Sequence, residues 1–426
     1  MYYSSWNFTL KPGKVTDDAH PFFLCYAESN DGIHWRKPNL GLFEFQGSKN
    51  NNIVLNSDKV GSVHPDPGHP AVFKDENPDC APDAKYKAII REFTAQGSTP
   101  PGVLAMKSPD GIHWSPLVYK PVITDGAFDS QNLAFWDPGR GEYRAYWRYM
   151  AGGTMRSIRT ARSKDFINWT DKADLSYVNS PTEQLYTNVV KYYFREPQLL
   201  IGFPIRYTER GWSESMRALP DLQNRELRAS AVERFGTALT ESLLMVSRDG
   251  VKFKRWEESF LRPGIERTGT WNYGQQYIAW SMVETKSALE GAPDEISLYA
   301  VEGTWGTEKL NTNALRRYTL RLDGFVSVNA PMSGGELVTR PLTFSGKELF
   351  LNFSSAAAGD VRVEVQDENG NPVPGFALTD CPAVFGDAIA RKVYWTSGSD
   401  LSSIKGKVVC LRFVLKDADL YSFTFK

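Results

Sequence analysis

The chain has 426 residues, a formal net charge of −1 and a hydrophobic share of 41%. That is enough for two or three domains with sizeable cores, while 49 basic against 50 acidic residues leave no net field to draw in nucleic acid or an anionic membrane. Aromatics reach 13%, which suits strand-rich cores and also surfaces that stack on sugar rings.

Met1 opens into the aromatic strand pattern MYYSSW, and Phe22 to Glu28 gives a second strand. Then comes SNDGIHWRKP, in which Asp31-Gly32 makes a tight turn before Ile33, His34 and Trp35. The unit recurs as SPDGIHWSP from Ser108, SKDFINWT from Ser163 and SRDGVKFKRW from Ser247, with a fainter RLDGFVSV from Arg321. Its aspartates are Asp31, Asp110, Asp165, Asp249 and Asp323, at intervals of 79, 55, 84 and 74 residues. A supersecondary unit recurring at variable spacing, with two or three strand candidates before each marker, indicates a propeller.

Five markers imply five blades, with each marker between the third and fourth strands. Inner strands are then expected near Ala71 to Phe73, Ser130 to Trp136, Tyr186 to Tyr193 and Gln276 to Val283. The first blade lacks one, so it is either incomplete or completed by other means. Asp137-Pro138-Gly139 supplies the turn into Glu142 to Arg148, where Tyr143, Ala145 and Trp147 face one way and Glu142, Arg144, Tyr146 and Arg148 the other. Ser213 to Val232, rich in Arg, Glu, Leu and Ala, reads as an insertion with a short helix in the fourth blade. Beyond Ala330 the marker gives way to closely spaced strands, ELVTRPLTF, ELFLNF, VRVEVQD, KVYW, VVCLRFVL and LYSFTF, the pattern of a β-sandwich. Asp367-Glu368-Asn369-Gly370 is a hairpin turn between two of them. The expected fold is therefore all-β: a five-bladed β-propeller over residues 1–330 followed by a β-sandwich over 331–426.

Of the four cysteines, Cys381 and Cys410 share the sandwich, which leaves a bridge between them open, and no CxxC pair or His cluster has metal-ligand spacing. No apolar run of 18 residues occurs, and the start has neither a basic leader nor an apolar signal core. Export is thus not encoded in the chain, and its location stays open, secretion included if residues precede Met1.

A five-bladed propeller followed by a β-sandwich resembles the family 32 glycoside hydrolases, with blades similar to families 43 and 117. The markers at Ser29, Ser108, Ser163 and Ser247 carry the resemblance, which spans nearly the whole chain. It implies three acids at the starts of the first three inner strands: a nucleophile or base, a transition-state stabiliser and a general acid. By position the first would precede Met1, and no WMNDPN-like, RDP or EC motif is present, which sets the chain apart from a simple invertase or fructanase. Asp129, before the third inner strand, and Glu183, in PTEQLYTN before the fourth, keep the family-like placement. Asp66 and His69, in HPDPGHPAVF, occupy the equivalent approach to the second.

Glycoside cleavage needs two carboxyl groups on either side of the scissile bond, one to assist departure and one to activate water or attack carbon. Asp129 and Glu183 are the expected catalytic pair; the competing role for each is an acid capping a strand at a solvated rim. Glu241 lies on an outer-strand candidate, where a structural role competes with the site. Arg148, Arg159 and Arg206 end or punctuate strand runs and offer fork-shaped contacts to hydroxyls or carboxylates, or pair with Glu142 or Glu209. Tyr186, Asn188, Trp271, Asn272 and Tyr273, near strand starts of the fourth and fifth blades, are sugar-contact candidates that compete with core or turn duty. His34 and His113, inside the marker, read as structural. The expected partner is a carbohydrate, with no nucleic acid, membrane or required cofactor, and a structural cation in the propeller channel only by analogy. Two alternatives are a glycosyl phosphorylase on a similar scaffold, as in family 130, which needs basic residues beside one acid, and a carbohydrate-binding propeller without catalysis.

Overall fold

Four of the five markers close in the same way in the computed structural model, which describes residues 1–6, 9–16, 21–93, 102–303 and 314–426. In each, the serine hydroxyl donates to the aspartate and accepts the N–H three residues on: Gly32 to Ser29, Gly111 to Ser108, Phe166 to Ser163 and Gly250 to Ser247, all at 2.9 Å. One aspartate oxygen then takes the next two N–H groups, as Asp110 does from Ile112 and His113 at 2.8 and 2.9 Å. The turn thus satisfies its own backbone donors with side-chain oxygens. His34 and His113 each place Nδ1 on the second oxygen, at 2.6 and 2.7 Å, so both are structural as expected. In the fifth copy Arg321 stands where the serine would be.

The chain divides into two compact units, residues 1–282 with 298–318, and 283–297 with 319–426. The first is a succession of antiparallel sheets. Tyr2–Ser5, Phe23–Tyr26 and Ile53–Leu55 form a three-stranded sheet; Pro65–Lys74, Tyr86–Glu92, Val103–Ser108 and Ser115–Pro116 form the second. Leu133–Asp137, Glu142–Ala151, Met155–Ser163 and Thr170–Asp174 form the third. In the fourth, Lys191–Tyr193, Glu196–Gly202, Met245–Ser247 and Lys252–Arg255 are joined by Ser176–Val178, parallel to the last of these. In a fifth, Tyr277 and Ile278 pair with Val301 and Ala300. The markers of sheets two to four lie between third and fourth strands, the placement read from sequence. The second inner strand, Pro65–Lys74, is longer than the expected Ala71 to Phe73, and the later ones are shorter than expected: the third starts at Leu133, the fourth at Lys191, and the fifth spans only Tyr277–Ile278.

Tyrosines bind neighbouring sheets together through the markers. Tyr2 of the first sheet donates to the Gly111 carbonyl in the second marker at 3.0 Å, Tyr146 of the third to Gly250 in the fourth at 2.9 Å, and Tyr299 of the fifth to Gly32 in the first at 2.7 Å. Gly111 is required twice over, since its φ is +80° and a Cβ would lie 2.3 Å from the Tyr2 oxygen. At the third marker Phe166 replaces the glycine at φ 66°. Its fully buried ring packs on Phe73 of the second sheet, 5.6 Å between centroids, and on Tyr143 and Trp169. Trp280 donates to the Val190 carbonyl at 2.9 Å, joining fifth to fourth. Contacts therefore run from sheet to sheet and return from the fifth to the first, the closed arrangement of propeller blades. Strand Glu142–Ala151 departs from a half-solvated pattern: its polar face is buried too, with Glu142 and Arg144 paired at 3.0 Å.

The insertion is more helical than expected, with helices Glu214–Ala218, Leu222–Ala231 and Glu233–Thr237. Ser213 caps the first, accepting from the Met216 N–H at 3.1 Å. Arg225 and Arg228, both fully buried, tie the second helix to the loop before the fifth sheet. Arg225 donates to the Trp271 carbonyl and Arg228 to the Asn272 side chain, both at 2.7 Å.

In the second unit two pairs of expected strands prove continuous. Leu349–Gln366 and Cys410–Phe425 pair along their length, with register slips between Asn352 and Phe353 and between Ser355 and Asp360. Such slips are where a strand bends from one layer of a sandwich to the other. Leu351, Phe353, Val363, Leu411, Phe413 and Trp395 fill the core. Arg321 works inside this unit, donating to Asn352 at 3.0 Å and Asp387 at 2.8 Å. Asp367 forms the expected turn, accepting from the Asn369 and Asn371 N–H groups at 2.9 Å each. All four cysteines are free thiols, Cys381 and Cys410 included. Among the described residues no helix is long and apolar enough to cross a membrane.

Candidate active site

Glu142–Ala151 and Met155–Ser163 pair so that Arg148 and Arg156 leave the end of the third sheet together. Tyr186 lies against both guanidiniums, 5.0 Å from Arg148 and 5.6 Å from Arg156. Arg156 also stacks on Tyr207 at 4.1 Å. The cluster grows by Tyr273, whose hydroxyl donates to that of Tyr186 at 3.1 Å, and by Tyr277, 5.8 Å from Tyr186 between centroids. Arg234, from the third insertion helix, reaches the Tyr207 and Tyr273 phenols. Burial raises the pKa of Tyr207, Tyr273 and Tyr277, so these phenols stay protonated at neutral pH. Asp129 joins at the rim: its carboxylate pairs with Arg148, yet 62% of its side chain is exposed.

Glu183 has other partners. It pairs with Arg206 at 3.1 Å and with the almost fully buried Arg255 at 2.6 Å. Arg206 pairs in turn with Glu241, directly opposite it across the ladder between Ile205–Glu209 and Ala238–Ser242. Glu241, read from sequence as an outer-strand residue, therefore belongs to this network. Successive strand residues point to opposite faces, so Arg206 directs the Glu183 network to one face while its neighbour Tyr207 directs the tyrosine cluster to the other. Glu209 shares the Tyr207 face and lies 4.0 Å from Arg156, with 51% of its side chain exposed. It is the acid that sequence reading named only as a pairing partner. Two strand steps from Tyr207 is the signal that would have found it.

The remaining candidates divide. Asp66 is buried against His69 at 3.3 Å and Arg91 at 3.4 Å, and accepts the Gly68 N–H at 2.8 Å. Burial raises its pKa, but these hydrogen bonds and charges outweigh it and hold the carboxyl below its usual range. Arg159 pairs with Asp174 at 2.6 Å and Asp125 at 3.3 Å and stacks on Tyr149 at 4.3 Å, with none of the cluster residues among these partners. Asn188 is buried and accepts the Val190 N–H at 3.2 Å, a turn duty. Asn272 is buried on Arg228, and Trp271 donates to the Gly264 carbonyl at 2.8 Å. Both therefore brace the loop that presents Tyr273. Arg267 of that loop also pairs with an acid sequence reading missed, Glu302 at the end of strand Glu295–Glu302, which pairs with Arg316 too and accepts from Tyr318 at 3.1 Å. Burial raises its pKa, and the hydrogen bonds from Arg267 and Tyr318 more than reverse this. Among the described residues no group of three His, Cys, Asp or Glu side chains is placed to hold a metal ion.

No protein-family profile matches the chain, and no curated protein is similar to it. Several solved structures are. An N-acetylgalactosamine deacetylase from F. plautii, in complex with blood group B trisaccharide, is 12% identical, with 75% of this chain and 94% of that one covered at a TM-score of 0.44. An endo-arabinase from Bacteroides thetaiotaomicron is 13% identical, covering 71% and 87% at 0.41. The Bombyx mori GH32 beta-fructofuranosidase BmSUC1 is 10% identical, covering 100% and 89% at 0.42.

Proposed function

We propose that the chain is a glycoside hydrolase acting on an oligo- or polysaccharide. The observation that carries this reading is the cluster at the blade ends, where Arg148, Arg156, Tyr186, Tyr207 and Tyr273 from different strands and loops surround two solvent-facing carboxylates, Asp129 and Glu209. Aromatic faces stack on sugar rings, and phenols and guanidiniums donate to their hydroxyls. A carboxylate pair is what the bond cleavage requires. Asp129 keeps the role read from sequence. As its partner, Glu209 on the same face is favoured over Glu183, which holds Arg206 and Arg255 in place.

Reducing-end release from a glycan panel, read beside thermal denaturation, tests the assignment. Asp129→Asn and Glu209→Gln are expected to lower turnover by about 10²-fold or more with the fold intact. Glu183→Gln is expected to cost about 3 kcal/mol of stability, because it leaves the buried Arg255 charge without a carboxylate. Full stability and lost turnover in Glu183→Gln, with wild-type turnover in Glu209→Gln, would return the second role to Glu183.

A further inference from the structure

We infer that the cluster binds an acidic group carried by the glycan, a carboxylate or a sulfate ester, and that Arg156 is the residue that selects for it; this rests on the glycosidase reading of the same site. Three guanidiniums, Arg148, Arg156 and Arg234, converge on four tyrosines. Against them stand two acids at the solvent edge. Asp129 pairs with Arg148, while Glu209 lies 4.0 Å from Arg156, beyond hydrogen-bond range. The Arg156 side chain is only 11% exposed. Among the described residues its one hydrogen-bonded side-chain partner is the neutral Gln184, and its Nε is buried without an acceptor.

A cation so far removed from water is costly unless an anion faces it. The rings of Tyr186 and Tyr207 offset part of that cost through their faces, but they accept no hydrogen bond from the guanidinium edge. For a neutral sugar such a site is poorly matched, since hydroxyls return little of what the buried charge has lost in water. An oxyanion matches it: its oxygens accept from guanidinium N–H groups in fork geometry, and the protonated phenols supply further donors. Asp129 stays on Arg148, and Glu209, half exposed and short of hydrogen-bond contact with Arg156, leaves that guanidinium's edge open to the acidic group.

The test is calorimetric binding to three matched oligosaccharides, one bearing uronate carboxylates, one sulfate esters and one neither, with cleavage followed separately by reducing-end release. The wild-type protein is expected to bind at least one acidic oligomer about 10-fold or more tighter than the neutral one, with the advantage shrinking as salt rises. Arg156→Gln is expected to remove about 10- to 100-fold of that affinity and to weaken neutral binding by less, so that the preference for the acidic oligomer collapses, with Arg156→Lys intermediate because it keeps the charge and loses the fork. Melting temperatures of both variants show that the fold is retained; if Arg156→Gln does not fold, Arg156→Lys and the salt dependence decide. Whichever acidic oligomer binds tighter identifies the group. Equal binding of all three, or turnover that needs inorganic phosphate and ignores the acidic groups, overturns the inference. Cleavage of neutral glycans alone would do so while sparing the hydrolase reading, whereas tight acidic binding without any cleavage would remove that reading and keep this one.

Discussion

Phe166 shows how one residue can break a local rule and be retained. The other three intact markers have glycine at this position, and all sit at positive φ, a region that costs a side-chain-bearing residue about 1–2 kcal/mol. The buried ring offsets that cost through Phe73, Tyr143 and Trp169. Phe166→Gly is therefore expected to destabilise, by a net amount of about 2–4 kcal/mol once backbone relief is set against lost packing, measured by urea denaturation. A stabilised variant would mean that the turn, not the ring, governs the site. Sequence reading recognised SKDFINW as a degenerate marker, but an inserted ring and a tolerated strain look alike without the neighbouring sheet. The same limit applied to the acids. Asp129 and Glu183 stand out in the sequence because position before a strand is a one-dimensional property, whereas the face each acid serves depends on alternation within strands that pair across residues such as Arg206 and Glu241, 35 apart in sequence.

At the scale of elements, the markers were the most legible part of the chain, because their hydrogen bonds are made among neighbours in sequence. Asp249 accepts the Val251 and Lys252 N–H groups at 2.8 Å each and so sets the start of Lys252–Arg255, the strand that delivers Arg255 to Glu183. Asp249→Ala is expected to lose about 1–2 kcal/mol, the scale of a lost side-chain cap, and Asp249→Asn less, since its amide oxygen still accepts. Chemical denaturation of the two variants checks the order; equal losses would assign the effect to charge instead of acceptor geometry. Less legible were the insertion and the long strands of the second unit. Two buried arginines in an Arg- and Glu-rich stretch read as part of a loop with a short helix until Trp271 and Asn272 supply their acceptors. A slipped register reads as a break between strands, since it interrupts the alternation that marks them.

Across the whole molecule, many carboxylates are held below their ordinary pKa. Asp31 and Asp110 lie well below it and Asp165 falls to about 2, held by the hydrogen bonds of their markers, with Asp249, Asp66, Glu302 and Glu364 lowered too. A depressed folded-state pKa contributes stability that is complete above the unfolded value, about 4 for Asp, and is lost as pH falls through the folded one. Glu92 and Asp137, raised by burial, act in the opposite sense but are fewer. The melting temperature is therefore expected to hold steady above about pH 5 and to drop steeply between about pH 4 and 2. A scan across that range checks it, and a flat profile down to pH 3 would refute it.

The Tyr299 bond to Gly32 joins residues 267 apart in sequence, whereas the bonds inside each marker span two or three. Short loops close within about a microsecond, and long-range closure waits on everything between. Refolding should then be biphasic in character, with early, independent formation of the clasps and a late step that depends on both ends of the ring being in place. Until that step the first and fifth sheets present open edges, and it is there that a nascent or partly refolded chain is most exposed to pairing with a copy of itself.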